Sequence, residues 1–196
     1  MTLMSLIDAL KSLHAIRTDR QIVIPTMGAA REWMTLGMHP LDFIYAPSAM
    51  GHAPSLGLGV ALARPDRRVI VLNGDGCMLM NLGCLVTIAS EAPKNLVLIV
   101  CENEVYEVTG GQRLPGTLGD HSLVEFETIA RGCGFPNVQV FETLADWQAG
   151  LAAVLEDPGP TFVVLRVAPV PGGAVPKSPA PAPQRAIEFA EALGGN

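Results

Sequence analysis

Two apolar runs, each ending in a short polar tip, constrain this chain most: Val69-Ile70-Val71-Leu72 and Leu96-Val97-Leu98-Ile99-Val100. Neither alternates with polar residues, so each reads as a strand buried on both faces, the pattern of a parallel sheet. Parallel neighbours need a crossover, and the segment Cys77 to Glu91 reads as the helix that supplies it. The first run ends in Asn73 and Gly74-Asp75-Gly76, where glycines permit a sharp turn and leave one carboxylate at the strand's carboxyl end. A helix starting directly afterwards points its free N–H groups and positive dipole end at an anion. The second run delivers Glu102-Asn103-Glu104-Val105 to the same sheet edge. An anion site and a hard-cation site therefore fall side by side.

Magnesium takes oxygen ligands in near-octahedral geometry, usually one or two protein groups completed by phosphate oxygens and water. Asp75 offers a charged oxygen, Asn103 a neutral one, and a backbone carbonyl just beyond, that of Val105, a third. The expected ligand is a diphosphate. Gly74-Asp75-Gly76 followed, after residues 77–102, by Asn103 resembles the signature of the thiamine-diphosphate enzymes. That resemblance implies that Asp75, Asn103 and the Val105 carbonyl bind Mg2+, and that Gly74, Gly76 and Cys77 line the cofactor. Glu102 departs from the residue usual before the asparagine. Rival nucleotide motifs fit worse, because the third glycine of a Rossmann fingerprint is missing and no Gly-Lys-Ser/Thr follows for a P-loop.

Further roles follow from the same resemblance. Met50 stands where the family wedges a bulky apolar side chain beneath the bent cofactor, beside Gly51. The Ser48 backbone would meet the aminopyrimidine. His52 is expected near the reactive end, where an imidazole holds an anionic substrate or moves a proton; Asn81 would approach the cofactor edge. Residues 106–112 read as a mobile loop, with Thr109 and Gln112 as its polar contacts.

The remaining pattern alternates strands (21–24, 41–45, 138–141, 160–167) with helices (3–17, 28–36, 55–63, 122–132, 143–155). It predicts an α/β fold, a doubly wound and mostly parallel sheet of about six strands with helices on both faces. Ligands of such sheets bind beyond the strands' carboxyl ends, where both polar tips fall. Residues 1–167 read as the binding domain, and 168–196 as a Pro/Ala-rich tail closing in a short helix whose Ile187, Phe189 and Leu193 suggest a clamp on a partner subunit.

Only 16% of residues are charged and the formal net charge is −6, giving no reason to expect nucleic-acid binding. No apolar run approaches a membrane span, and no leader pattern is evident, so a cytoplasmic protein is expected. Cys77, Cys84, Cys101 and Cys133 lack metal-ligand spacing. Met50-Gly51-His52, Gly74-Asp75-Gly76 with Met80-Asn81-Leu82-Gly83, and Thr109-Gly110-Gly111-Gln112 together resemble the small two-subunit thiamine-diphosphate decarboxylases. The resemblance implies decarboxylation of a 2-oxoacid carrying a second anionic group, with Arg31 or Arg113 as candidates to hold that anion. Nothing in the chain looks like the pyrimidine-binding domain, whose glutamate starts proton transfer in the family. A separate α-type subunit carrying it is the expected partner, in a hetero-oligomer. An acyloin-forming synthase, an oxidoreductase or a non-catalytic regulatory subunit remain the alternatives.

Overall fold

The computed structural model describes residues 3–46, 49–118 and 121–194. Five parallel strands form the main sheet: β1 (Gln21–Pro25), β2 (Arg68–Gly74), β3 (Leu96–Glu102), β8 (Asn137–Phe141) and β9 (Thr161–Arg166), in the order β1-β2-β3-β9-β8. Two short antiparallel pairs stand apart, β4 (Val105–Tyr106) with β5 (Gln112–Arg113), and β6 (Thr117–Leu118) with β7 (His121–Ser122). The helices are α1 (Leu6–Ile16), α2 (Met27–Thr35), α3 (Ala53–Ala63), α4 (Asp75–Leu79), α5 (Cys84–Glu91), α6 (Phe126–Gly132), α7 (Leu144–Glu156) and α8 (Ala182–Ala192).

The continuous apolar strands are explained by two cores, one on each face of the sheet. Ile70, Leu72, Val97 and Ile99 turn toward α1, α2 and α7, where Leu10, Trp33 and Trp147 are fully enclosed. Val69, Val71, Leu98 and Val100 turn toward α3, α5 and α6. Successive strand residues thus serve opposite cores, which is why these runs are apolar at consecutive positions. On the second face, Gly57 of α3 lies against β2: a Cβ added there would stand 2.3 Å from a Val71 methyl carbon. Gly57→Ala is therefore expected to lower stability by about 1–3 kcal/mol through overpacking, read as a reduced urea midpoint with an unchanged slope.

The structure corrects several expected elements. Residues 41–45 run parallel beside β1 but touch it only through isolated bridges, Val23 with Asp42 and Thr26 with Tyr45, so the sheet has five strands and a ragged edge. The expected helix from Cys77 to Glu91 is interrupted by turns over residues 80–83. Asn81 and Gly83 are weak helix formers, and the Asn81 side chain instead donates to the Gly51 carbonyl at 2.9 Å. The helix expected from residue 122 begins at Phe126, because residues 121–122 pair with 117–118. The 106–112 segment is a hairpin with one 3-10 turn, Glu107–Thr109. Thr143 caps α7, its hydroxyl accepting from the Asp146 N–H.

Helix α8 lies on the chain's own ragged edge. Phe189 packs on Phe43 with ring centroids 5.0 Å apart, and the Arg185 guanidinium sits over the same ring and donates to the Ile44 and Ala180 carbonyls. Leu193 also packs on the second core, leaving Ile187 exposed. An edge left open by bridges alone is thereby covered, and two of the three apolar side chains behind the expected clamp, Phe189 and Leu193, pack within the chain while Ile187 stays exposed.

Candidate functional site

The registers Gly74↔Cys101 and Glu102↔Arg166 bring the carboxyl ends of β2, β3 and β9 level with one another. Asp75, one residue past β2, consequently meets the chain leaving β3. Its carboxylate accepts from the backbone N–H groups of Asn103 (2.8 Å) and Glu104 (2.7 Å) through one oxygen, and from Gly76 N–H (2.7 Å) through the other. Glu104 adopts φ +62°, a left-handed conformation uncommon for a glutamate; the turn lets two successive N–H groups converge on one oxygen. Asp75 is almost wholly buried, and burial pushes its pKa up to about 6 against the opposing pull of those N–H groups.

Beyond this junction lies a cavity of about 300 Å³. Gly74, Asp75, Gly76 and Cys77 line it from one strand tip, Asn103, Val105 and Thr109 from the other, and Met50 from the turn before α3. Met50 is 45% exposed, a large apolar side chain held at the cavity rim. Gly51 follows it with φ +89°, and a Cβ there would come within 3.1–3.3 Å of Asn81, Cys77 and Met80. Only glycine serves both demands, so the Met50 turn is pinned to the segment after β2.

Several other expected site residues fall outside the cavity. Asn81 holds the Gly51 carbonyl and supports the wall from behind. His52 is exposed at the N-terminal end of α3, its Nδ1 3.3 Å from the Met50 carbonyl, and does not line the cavity. Ser48 lies outside the described residues. Thr109 lines the cavity and donates to the Gln112 side chain at 2.8 Å, so these two polar groups are joined within the hairpin. Arg113 pairs with Glu104 at 3.1 Å and lines a different cavity with Glu102 and Arg166. Arg31 pairs with Glu32 (2.9 Å) and Glu107 (3.3 Å). Glu102 turns toward Arg166 at 3.2 Å; burial pushes its pKa up to about 7 despite that cation. Burial also raises the Cys77 thiol, against the lowering expected from a helix terminus, and takes Cys101 to about 12.

Sequence reasoning passed over Glu107, Tyr106, Met27, Val175 and Pro176, all of which line the cavity. Tyr106 fills the space over Gly76, where an added Cβ would meet its ring at 2.5 Å. Val175 and Pro176 arrive from the tail, roughly seventy residues downstream of the hairpin, and no local pattern announces such a contact. Among the described residues no group of three or more His, Cys, Asp or Glu side chains is arranged to hold a metal. The donors at the two tips are instead one carboxylate, one carboxamide and backbone carbonyls, a set that suits a hard cation completed by ligand oxygens. Gly74 adds a second mark of fit: nothing lies within 4 Å of where its Cβ would be, so its bare backbone faces open cavity.

The site is thus built on a parallel α/β domain, with acidic and amide oxygens at adjacent strand tips opening on a largely apolar cavity. Residues 26–165 match the family described as thiamine pyrophosphate enzyme, C-terminal TPP binding domain, and the chain belongs to that family. It is 42% identical to phosphonopyruvate decarboxylase of Streptomyces viridochromogenes over 83% of this chain and 40% of that one. The sulfopyruvate decarboxylase subunit beta of Methanothermobacter thermautotrophicus is 35% identical over 83% of this chain and 82% of its own length. A solved structure of a protein from Mycobacterium smegmatis superposes with TM-score 0.71 at 24% identity, over 85% of this chain and 32% of that one, which shows the shared fold. The chain spans about 40% of the length of the phosphonopyruvate decarboxylases it matches. Among the described residues no helix is long and apolar enough to cross a membrane.

Proposed function

We propose that this chain is the diphosphate-binding part of a thiamine-diphosphate-dependent decarboxylase that converts a small 2-oxoacid, of the sulfopyruvate or phosphonopyruvate kind, to an aldehyde. The observation that carries the reading is the junction at Asp75, where one buried carboxylate gathers the tips of β2 and β3 at the mouth of the cavity. Asp75, the Asn103 side-chain oxygen and the Val105 carbonyl would hold Mg2+, which ties down the diphosphate. Gly74 would leave room for the phosphates, Gly76 and Cys77 would line them from the start of α4, and Thr109 would close over them. Met50, beside Gly51, would support the bent cofactor. Bound there, thiamine diphosphate supplies a nucleophilic carbon and an electron sink for loss of CO2.

The names of the relatives support the two-subunit arrangement. One set is called subunit beta and is matched over most of its length, whereas the phosphonopyruvate decarboxylases are matched over about 40% of theirs. The rest of those longer chains has room for a second domain. A separate pyrimidine-binding subunit carrying the catalytic glutamate is the proposed partner here. His52, exposed on the rim beside the Met50 turn, would act only on a substrate held between the two subunits.

Reconstitution with that partner tests the reading. Sulfopyruvate, phosphonopyruvate and pyruvate are offered with Mg2+ and thiamine diphosphate. CO2 and an aldehyde are expected from an acidic 2-oxoacid, with no turnover by either subunit alone. Formation of an acyloin without aldehyde, or activity of this chain by itself, would overturn it.

A further inference from the structure

We infer that Glu107 is a positioning residue that fixes the Asn103 carboxamide with its oxygen available to a cation; the inference rests on the reading just given. Glu107 follows Asn103 by four residues, on the 3-10 turn of the hairpin, and its side chain is only 6% exposed although it lines the cavity. Its Oε1 accepts from Asn103 Nδ2 at 2.8 Å and from the Val170 N–H at 2.8 Å. Its Oε2 accepts from Arg31 Nη2 at 3.3 Å. At the other end of the carboxamide, Asn103 Oδ1 accepts from the Val105 N–H at 3.1 Å.

A carboxamide has two ends of nearly equal size, and only one of them binds a metal ion. Turned by half a rotation, Asn103 would aim its oxygen at a carboxylate and its NH2 at an N–H donor, two repulsive contacts in place of two hydrogen bonds. Donation to an ionised carboxylate also polarises the amide and concentrates electron density on Oδ1, which strengthens it as a hard-cation ligand. The space for this arrangement is reserved: a Cβ at Gly28 would lie 3.1 Å from Glu107 Oε2. Asp75 needs no such selection of ends, because its two carboxylate oxygens are chemically alike and both are held by backbone N–H groups.

Glu107 also bridges α2 and the tail through Arg31 and Val170, so a purely structural clasp is the rival explanation, and variants separate the two. Glu107→Gln keeps an oxygen able to accept from Asn103 and Val170 and loses the charge paired with Arg31. Arg31→Ala removes that ion pair without touching Asn103. Glu107→Ala removes everything. Glu107→Asp keeps the charge but withdraws the oxygens by one methylene, and it carries the test if the alanine variant does not fold.

The measurement is Mn2+ affinity by electron paramagnetic resonance, with thiamine diphosphate present, on the full chain reconstituted with its partner subunit. Thermal midpoints are recorded alongside. Glu107→Ala and Glu107→Asp are expected to bind Mn2+ about 10–100-fold more weakly, the usual cost of losing an outer partner of a metal ligand; Glu107→Gln, which keeps the orienting oxygen and loses the polarising charge, weakens it by less than about tenfold, and Arg31→Ala stays near wild type. Equal weakening by Glu107→Ala and Arg31→Ala, or unchanged affinity in Glu107→Ala and Glu107→Asp, would overturn the inference and leave the function intact. A wild-type complex that takes up no Mn2+ would overturn both.

Discussion

Asp75→Asn is expected to fold and to lose cation-dependent binding of thiamine diphosphate by more than about 100-fold, since losing even an outer partner of a metal ligand costs 10–100-fold. The amide matches the carboxylate in size. With its oxygen toward the Asn103 and Glu104 N–H groups it keeps two of the three hydrogen bonds that Asp75 accepts. Removing a buried charge offsets part of what the third contributed. Wild type carries a pH signature that the variant lacks. Burial sets the Asp75 pKa at about 6, so below that pH a proton competes with the cation, and apparent cation affinity falls by about tenfold per pH unit. The sign for stability of the cation-free chain follows from the same shift. The folded pKa lies above the unfolded value near 3.9, so the native state keeps its proton longer. Stability then declines as pH rises from about 4 to about 6, and a bound cation reverses the decline. Calorimetric titrations between pH 5 and pH 8 check the affinities, and urea midpoints check the fold.

Gly74→Val is expected to separate binding from folding in a different way. Gly74 has φ −84° and ψ 154°, ordinary extended backbone that a β-branched residue favours, and nothing lies within 4 Å of its missing Cβ. The added methyl groups project into the cavity, where a cofactor must either shift or compress them. An overpacking cost of about 1–3 kcal/mol translates into roughly 10–100-fold weaker cofactor binding, with a urea midpoint close to wild type. Gly76, on the other side of Asp75, should behave oppositely. A Cβ there runs into Tyr106 at 2.5 Å, so Gly76→Val loses stability before any ligand is added. Identical phenotypes for the two would contradict the placement of the cavity.

How much of this was legible in the sequence depends on the range of the signal. The apolar runs 69–72 and 96–100 gave the central strands, because two-sided burial writes itself into consecutive residues. Their polar tips located the Asp75–Asn103 junction, since parallel strands in register must end on the same edge. The ragged edge at residues 41–45 was not legible: Phe43 and Ile44 are apolar as in a strand, but their pairing stops at isolated bridges where α8 covers them. The break in the helix after Asp75 turns on Asn81 reaching the Gly51 carbonyl, thirty residues away in sequence, a contact that competes with helical propensity. Glu107 was hidden for a similar reason. Nothing in its neighbours distinguishes it from a solvated loop acid; its role comes from Asn103, Arg31 and Val170, which only the fold assembles.

The central claim is that Asp75 and Asn103 jointly grip a divalent ion which secures a diphosphate. Titration calorimetry of thiamine diphosphate into the reconstituted complex, with Mg2+ and then with chelator, tests it most directly. Saturable uptake that requires Mg2+ and vanishes in Asp75→Asn is the predicted result. Uptake of equal affinity in the presence of chelator, or in the Asp75→Asn complex, would contradict it.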